Sequence, residues 1–435
     1  SIQKAWRDYQ AMPLEATFSV NDTDIGLDAT IGDIFPLSAF KGKVWVKGPD
    51  PARLGDALGI PLPHLPPFKL EALLHRKQGP ENRQTVSLQN LSGTVGDSDV
   101  AGTLQVMTGS DRPMVSTRLH SRKLDFDDLA GLIGAPPDPE ETASKAQKAR
   151  AEEAENRQTV LPEKPMDFTQ LRKLDAEVEY VATDVKAPDL PLNDFALNLT
   201  IEDGHLQMDR LDFGVATGTV SMQLEVNARE DPIQAKLHTD VDHVNLSRLL
   251  ARFDVADDSF GNIGGRAKLW MRGESLAEWL GSADGGLFLT MTGGKIDALL
   301  VELAGMDFSE AAAVLLSTDT RVKIECAYTD LQARSGIVTI HPFLLDTQDT
   351  KFKGHGSIDL RQEKLNLTVE PYPKDFTIMS SRGPLHVTGT FSNPEFSVEP
   401  TFPSPEFGMA DDSARCRGMV DALQNARKKQ LANTN

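Results

Sequence analysis

Long apolar runs are missing from this sequence, and so is any excess of positive charge. No stretch approaches the ~20 consecutive apolar residues that a helix needs to cross a bilayer. The opening Ser1–Arg7 has no apolar core segment and does not read as a signal peptide. Aspartate and glutamate number 64 against 45 lysines and arginines, a net charge of −19. That balance excludes the basic surface with which proteins displace counterions from nucleic acid. It also argues against a chain lying flat on an anionic membrane. A contact with lipid is therefore expected through apolar surface.

Chemistry-bearing clusters are scarce too. Asp240, Asp242 and His243 read at first like metal ligands, and on a strand the two aspartates share a face. No further ligand follows at a fixed spacing, so solvent-facing strand polarity is the better reading. His341, His355 and His386 sit in expected strands or turns. Gly261-Asn262-Ile263-Gly264-Gly265 lacks a phosphate-loop lysine and reads as a turn. Ser335-Gly336 and Ser380-Ser381 have no nucleophile-elbow context. The sequence predicts no enzyme, no catalytic or metal residue and no cofactor.

What the chain does have is alternation. Thr17–Val20 and Ile25–Ile31 flank an Asn21-Asp22 turn, and Gly42–Lys47 follows as a strand. Strands are likewise expected at Leu174–Val181 and Phe195–Ile201. Asp203-Gly204 is the strongest hairpin signal, because both residue types tolerate the positive φ of a tight turn. Beyond it the apolar parity shifts from Leu206 and Met208 to Leu211 and Phe213, which predicts a bulge near Asp209-Arg210. A phrase of strand, acidic or polar residue and short leucine-bearing helix occurs at Arg118–Leu129 and again at Lys236–Leu250, with the Pro51 helix a looser copy. Its irregular spacing points to a meander of hairpins rather than a solenoid of fixed short period. Residues 138–164, rich in Glu, Lys, Ala and Gln, have no apolar face to dock and read as a charged mobile linker. That divides the chain into 1–137, the linker, 165–284, 285–402 and a helical tail, 403–435.

Region 285–402 has the most specific order of pieces. A strand at Leu287–Met291 and a Gly293-Gly294 turn lead into expected helices, one through Ile296, Leu299, Leu300 and Leu303 and one at Ala311–Leu316. Strands then return. Gly293-Gly294-Lys295-Ile296-Asp297, Leu344-Leu345-Asp346 and Gly354-His355-Gly356-Ser357-Ile358-Asp359-Leu360 occur in that order. Pro371, Pro373 and Gly383–Phe391 followed by Pro394 complete it. This order resembles the C-terminal region of the AsmA-like proteins of Gram-negative envelopes. The resemblance implies a periplasmic body anchored to the inner membrane through a segment outside this chain. It further implies a role in outer-membrane lipid homeostasis and a long curved β-sheet with a hydrophobic groove.

Alternating strands bury one face, and something must cover it. The pattern alone favours a β-sandwich; the resemblance implies instead a mainly β chain, one elongated, curved antiparallel sheet forming a hydrophobic groove, with a few short helices and a C-terminal helix, whose apolar face is open to acyl chains. On that reading the lipid-groove residues are Leu197, Leu199, Ile201, Leu206, Met208, Leu365, Leu367, Val369, Leu385 and Val387, one face by their period-two spacing. The expected partners are phospholipid or other acyl lipids, with outer-membrane or periplasmic proteins besides. A structural or assembly factor that carries no lipid is the alternative. Given the oxidising compartment that the resemblance implies, Cys326 and Cys416 are expected to pair, with two separate buried thiols as the other outcome. A bridge would pin the tail against the terminal sheet, as a plug at that end of the groove.

Overall fold

The computed structural model describes residues 13–30, 39–58, 62–79, 83–133, 159–166, 168–187, 191–250, 261–297, 321–348, 350–374, 383–398, 416 and 418. Its frame is a single long, open, curved sheet of 20 strands. In chain order the strands begin with β1 (Pro13–Val20), β2 (Thr23–Thr30), β3 (Ala39–Gly48), β4 (Phe68–Gln78), β5 (Gln84–Val95), β6 (Ser98–Thr108) and β7 (Met114–Asp125). They continue with β8 (Asp175–Lys186), β9 (Leu192–Glu202), β10 (His205–Val215), β11 (Gly218–Asn227), β12 (Gln234–Asn245), β13 (Asn262–Arg272) and β14 (Asp284–Thr292). The last are β15 (Lys295–Asp297), β16 (Arg321–Arg334), β17 (Ile337–Thr347), β18 (Thr350–Asp359), β19 (Lys364–Pro373), β20 (Leu385–Gly389) and β21 (Pro394–Val398). Each strand pairs with the next, except that β14 pairs with β16 and the short β15 pairs with β16 as a separate ladder.

Local sequence explains the meander. Asn21 and Asp22 both take positive φ between β1 and β2, and Asp203 and Gly204 do so between β9 and β10, the conformation that two-residue hairpin turns require. The register of β10 shifts between Met208 and Leu211, so one extra residue is absorbed there and Leu211 and Phe213 rejoin the face of Met208.

One pairing departs from the antiparallel rule. β7 and β8 run parallel, Met114 opposite Asp175 and Asp125 opposite Lys186. The connection from 126 to 174 must therefore return the chain from one edge of the strands to the other, which a hairpin cannot do. We call the two edges rim A, where β7 and β8 begin, and rim B, where they end.

Short helices decorate rim B in a repeated way. The Pro51–Leu58 helix after β3 reaches back to the β1–β2 turn through Arg53 and Asp22. The 3-10 helix Phe126–Ile133 after β7 reaches the β5–β6 turn: Asp128 accepts from the backbone N–H groups of Asp97 (3.1 Å) and Ser98 (3.0 Å). The Leu246–Leu250 helix after β12 packs Leu249 beside Ala216 in the β10–β11 turn. The repeated sequence phrase is thus a three-strand unit whose closing helix caps the turn between its first two strands.

Rim A is laced by a strap. Glu363, in the β18–β19 turn, accepts from Val160 N and Leu161 N, both at 2.7 Å. Ala277 N donates to Pro162 O, Met166 N to Glu274 O and Gly204 N to Leu171 O. Phe168, in the 3-10 helix Phe168–Arg172, stacks on Trp279 of the Leu276–Gly281 helix at 5.6 Å between ring centroids. The end of the expected charged linker, from Val160 on, is held by these bonds; residues 134–158 lie outside the described residues.

Ile296 belongs to strand β15, opposite Val322, and does not begin a helix. Its neighbours β14 and β16 leave an unpaired backbone edge on β16 there, and ladder bonds satisfy it where a helical turn would not. The other residues of the two expected helices, 299–316, lie outside the described residues.

Candidate functional site

Cross-strand partners in a ladder share a face, so the register can be followed from strand to strand. Leu199 stands opposite Val178 on β8 and Met208 on β10; Met208 pairs with Leu224, Leu224 with Leu237, and Leu237 with Leu269. From Leu269 the same row passes Gly285, Ala333, Val338 and Ile358 and arrives at Leu365. A second row starts at Leu197 and Leu211, crosses Leu287, Leu331 and Ile340, and ends at Leu367 and Val387. A third connects Phe213, Leu289 and Phe343 with Val369 and Leu385. Ile201 and Leu206 lie in a row with Val226, Ala235 and Met271. The ten candidate residues therefore occupy one face, in two groups far apart along the sheet and joined by rows of apolar side chains.

Alternation sets the two faces apart. All ten residues are half-buried, whereas their strand neighbours Asn198, Thr200, Gln207 and Asn366 are exposed on the opposite face. On the apolar face, among the described residues, the clusters of fully buried large side chains lie near the rims. At rim A, Phe168 and Trp279 close over Val226, Ala235 and Met271; at rim B, Phe126 and Leu129 pack on Leu124, Ala182 and Phe195. Between the rims, among the described residues, no second sheet and no helix lies over the rows. At the two ends of the sheet the apolar face opens further: Phe18 on β1 is 50% exposed and Phe396 on β21 is 67% exposed.

The sequence reading missed most of this surface. Leu224, Leu237, Leu269, Leu287 and Leu331 belong to it as fully as the ten, and so do Leu74, Leu88 and Leu104 on β4 to β6. Their signal is the same period of two, carried past each turn.

The opposite face carries charge in pairs. Asp240 accepts from Arg266 Nε at 2.7 Å, and Asp242 stands 2.6 Å from His243 Nδ1. Glu225 is held below the usual carboxylate range by its hydrogen bond to His205 and by Lys236. Among the described residues no group of three or more His, Cys, Asp or Glu is placed to hold a metal ion.

Cys326 and Cys416 are joined through sulfur, with Cα atoms 6.3 Å apart, a separation that suits a bridge. They share a cluster with Tyr328, Leu344 and Phe288. Cys326 pairs with Thr292 while its neighbour Ala327 pairs with Met291 of the apolar face, so Cys326 is on the polar face. The bridge accordingly holds Cys416 against the outside of the sheet, on the face opposite the apolar rows. Met419, Val420 and Leu423 lie outside the described residues.

Comparison with known proteins adds two findings. A family model described as the AsmA family matches residues 43–343, a region that meets the 285–402 stretch only in its first half. The chain is also similar to the AsmA family protein YhjG of Escherichia coli (strain K12), 26% identical over 392 residues. That alignment covers 89% of the chain and 57% of the relative, so the chain spans little more than half of the curated protein it matches. Among the described residues no helix is long and apolar enough to cross a membrane.

Proposed function

The chain belongs to the AsmA family of envelope proteins, and on that premise we propose that its apolar face holds the acyl chains of lipid and moves phospholipid between the inner and outer membranes. One observation carries the reading: rows of half-buried aliphatic side chains cross the sheet from β8 to β21, and among the described residues no second sheet or helix lies above them. An aliphatic surface of that length is costly in water. Each methylene that a bound acyl chain removes from water contributes about 0.8 kcal/mol, and the side chains beneath it gain as well. The face is non-directional along its length, so a chain can shift from one row position to the next without losing a specific hydrogen bond.

The polar face and the net charge of −19 keep the opposite surface hydrated. They fit a body that stands in the periplasm, tethered to the inner membrane by a segment outside these residues, rather than one that lies along an anionic bilayer. The face does not call for a catalytic group, since lifting an acyl chain out of a bilayer and sliding it requires only a matched apolar path.

Native mass spectrometry of the protein after incubation with phospholipid vesicles tests the proposal. Bound phospholipid, released on organic extraction, is the expected result. A protein that emerges free of lipid at every vesicle concentration would instead support an assembly factor that carries none.

A further inference from the structure

Arg76 breaks the apolar face. It pairs with Val86 on β5, Val86 pairs with Val106, and Val106 with Val115. Val115 stands beside Ala176, which pairs with Ile201. Arg76 therefore belongs to the row that contains Ile201 and Leu206, and its neighbour along the same face is Leu74. Among the described residues of the rows that can be followed across the sheet, it is the one charged side chain.

No described carboxylate neutralises it. Arg76 is half-buried, and its described hydrogen-bond partner is a neutral amide, Gln84 Oε1, at 3.0 Å from Nη2. By contrast, Arg112 in the β6–β7 turn and Arg118, Arg210 and Arg266 on the polar face are all paired with carboxylates. An arginine that leaves the bulk solvent is ordinarily matched by an anion. Its position also suits a headgroup. Arg76 lies two residues from the end of β4, at rim A, so its aliphatic stem continues the apolar row while the guanidinium reaches the rim. The planar fork presents paired N–H donors of the kind that a phosphate diester accepts.

We propose that Arg76, oriented by Gln84, binds the phosphate of a glycerophospholipid whose acyl chains lie along the apolar face at β4 to β6. The inference rests on the lipid reading above and adds to it a point of headgroup recognition at rim A. It makes the face selective for phosphate-bearing lipids over neutral lipids of the same chain length.

The test uses the full 435-residue chain and vesicles containing equal amounts of phosphatidylglycerol and diacylglycerol with matched acyl chains. The ratio of the two lipids bound is read by native mass spectrometry. Wild type is expected to favour phosphatidylglycerol, and Arg76→Gln to reduce that preference about ten-fold while still taking up diacylglycerol, the size of effect that follows losing one charge-assisted hydrogen bond. Arg76→Lys should retain part of it as a point charge, and Arg118→Gln, on the polar face, should change nothing. An unchanged ratio in Arg76→Gln, or an equal loss in Arg118→Gln, overturns the headgroup site and leaves the acyl-binding face standing. If wild type binds neither lipid, the lipid reading itself falls, and this inference with it. Glycerol 3-phosphate bound at Arg76 by a chain that takes no acyl lipid would show a free-phosphate site and overturn the assignment.

Discussion

The two faces of the sheet are built from the same strands and alternate residues, yet each carries an intrusion of the opposite kind. The apolar face has a cation, Arg76, at a rim and, among the described residues, without a carboxylate partner. The polar face has an apolar nest, Cys326, Tyr328, Leu344 and Phe288, sealed by Cys416. The nest is covered by the chain itself and is fully buried at Cys326 and Cys416, 2% and 0% exposed. The rows of the apolar face stay half-buried because nothing in the described chain lies over them. Covered apolar surface is core; uncovered apolar surface, in a protein with a polar alternative on every other residue, is a place for a ligand.

The largest effect separates packed rim from open row. Trp279 is 7% exposed, stacked on Phe168 and bonded through its Nε1–H to Gly273 O at 2.9 Å. Trp279→Ala should destabilise the protein by about 3–5 kcal/mol in urea unfolding. A loss near zero would show that the strap and helix do not close a core at rim A.

Next comes the nest. A bridge between residues 90 apart in sequence should be worth about 2–4 kcal/mol. Counting thiols in the denatured, unreduced protein from an oxidising compartment should find none free, and Cys416→Ser should lower the unfolding midpoint. Two reactive thiols per chain would show that packing alone holds the nest.

Open rows should tolerate what a core does not. Leu367→Asp, near the end of a half-buried row, is expected to cost about 1–3 kcal/mol, less than a sealed core position, while greatly reducing bound lipid. Unfolding of this variant to the extent seen for Trp279→Ala would mean that the rows are covered after all.

The smallest effect is a pH dependence at rim B. Burial lifts the Asp128 carboxyl to about 6, against the opposing hydrogen bond from Ser98 and with the Asp125 charge adding to the rise. Its folded value lies above the ordinary 3.8, so the folded chain holds a proton that the unfolded chain releases in the window between. This contribution to stability grows as pH falls from about 6 toward 4 and is lost as pH rises through 6. Asp128→Asn should flatten that part of the stability profile; an unchanged slope between pH 7 and 5 would remove Asp128 as its source.

Much of this was legible in the sequence because strand parity is a local property. The Asp203-Gly204 turn, the bulge after Met208 and the strand-then-helix phrase each depend on a few adjacent residues. The ten groove candidates were chosen by the same rule, and the register puts them on one face. What escaped was set by distant parts of the chain. The parallel pairing of β7 and β8 depends on where a long connection returns, and the strap on Glu363 unites residues about two hundred positions apart. The side on which Cys326 lies follows from register carried through β14, not from its own neighbourhood. Arg76 was within reach, since it continues the alternation of Leu70, Ala72 and Leu74, but a lone arginine beside Lys69, His75 and Lys77 on β4 acquires meaning only when the face is known.

Photo-crosslinking reads the two faces against each other most directly. A benzophenone side chain placed at Leu199 or Leu367 on the apolar face, and at Asn198 or Asn366 on the polar face of the same strands, is irradiated in protein exposed to phospholipid vesicles. Lipid adducts at Leu199 and Leu367, with little or none at Asn198 and Asn366, are expected. Equal labelling of both pairs, or none at either, would contradict an apolar face that holds acyl chains.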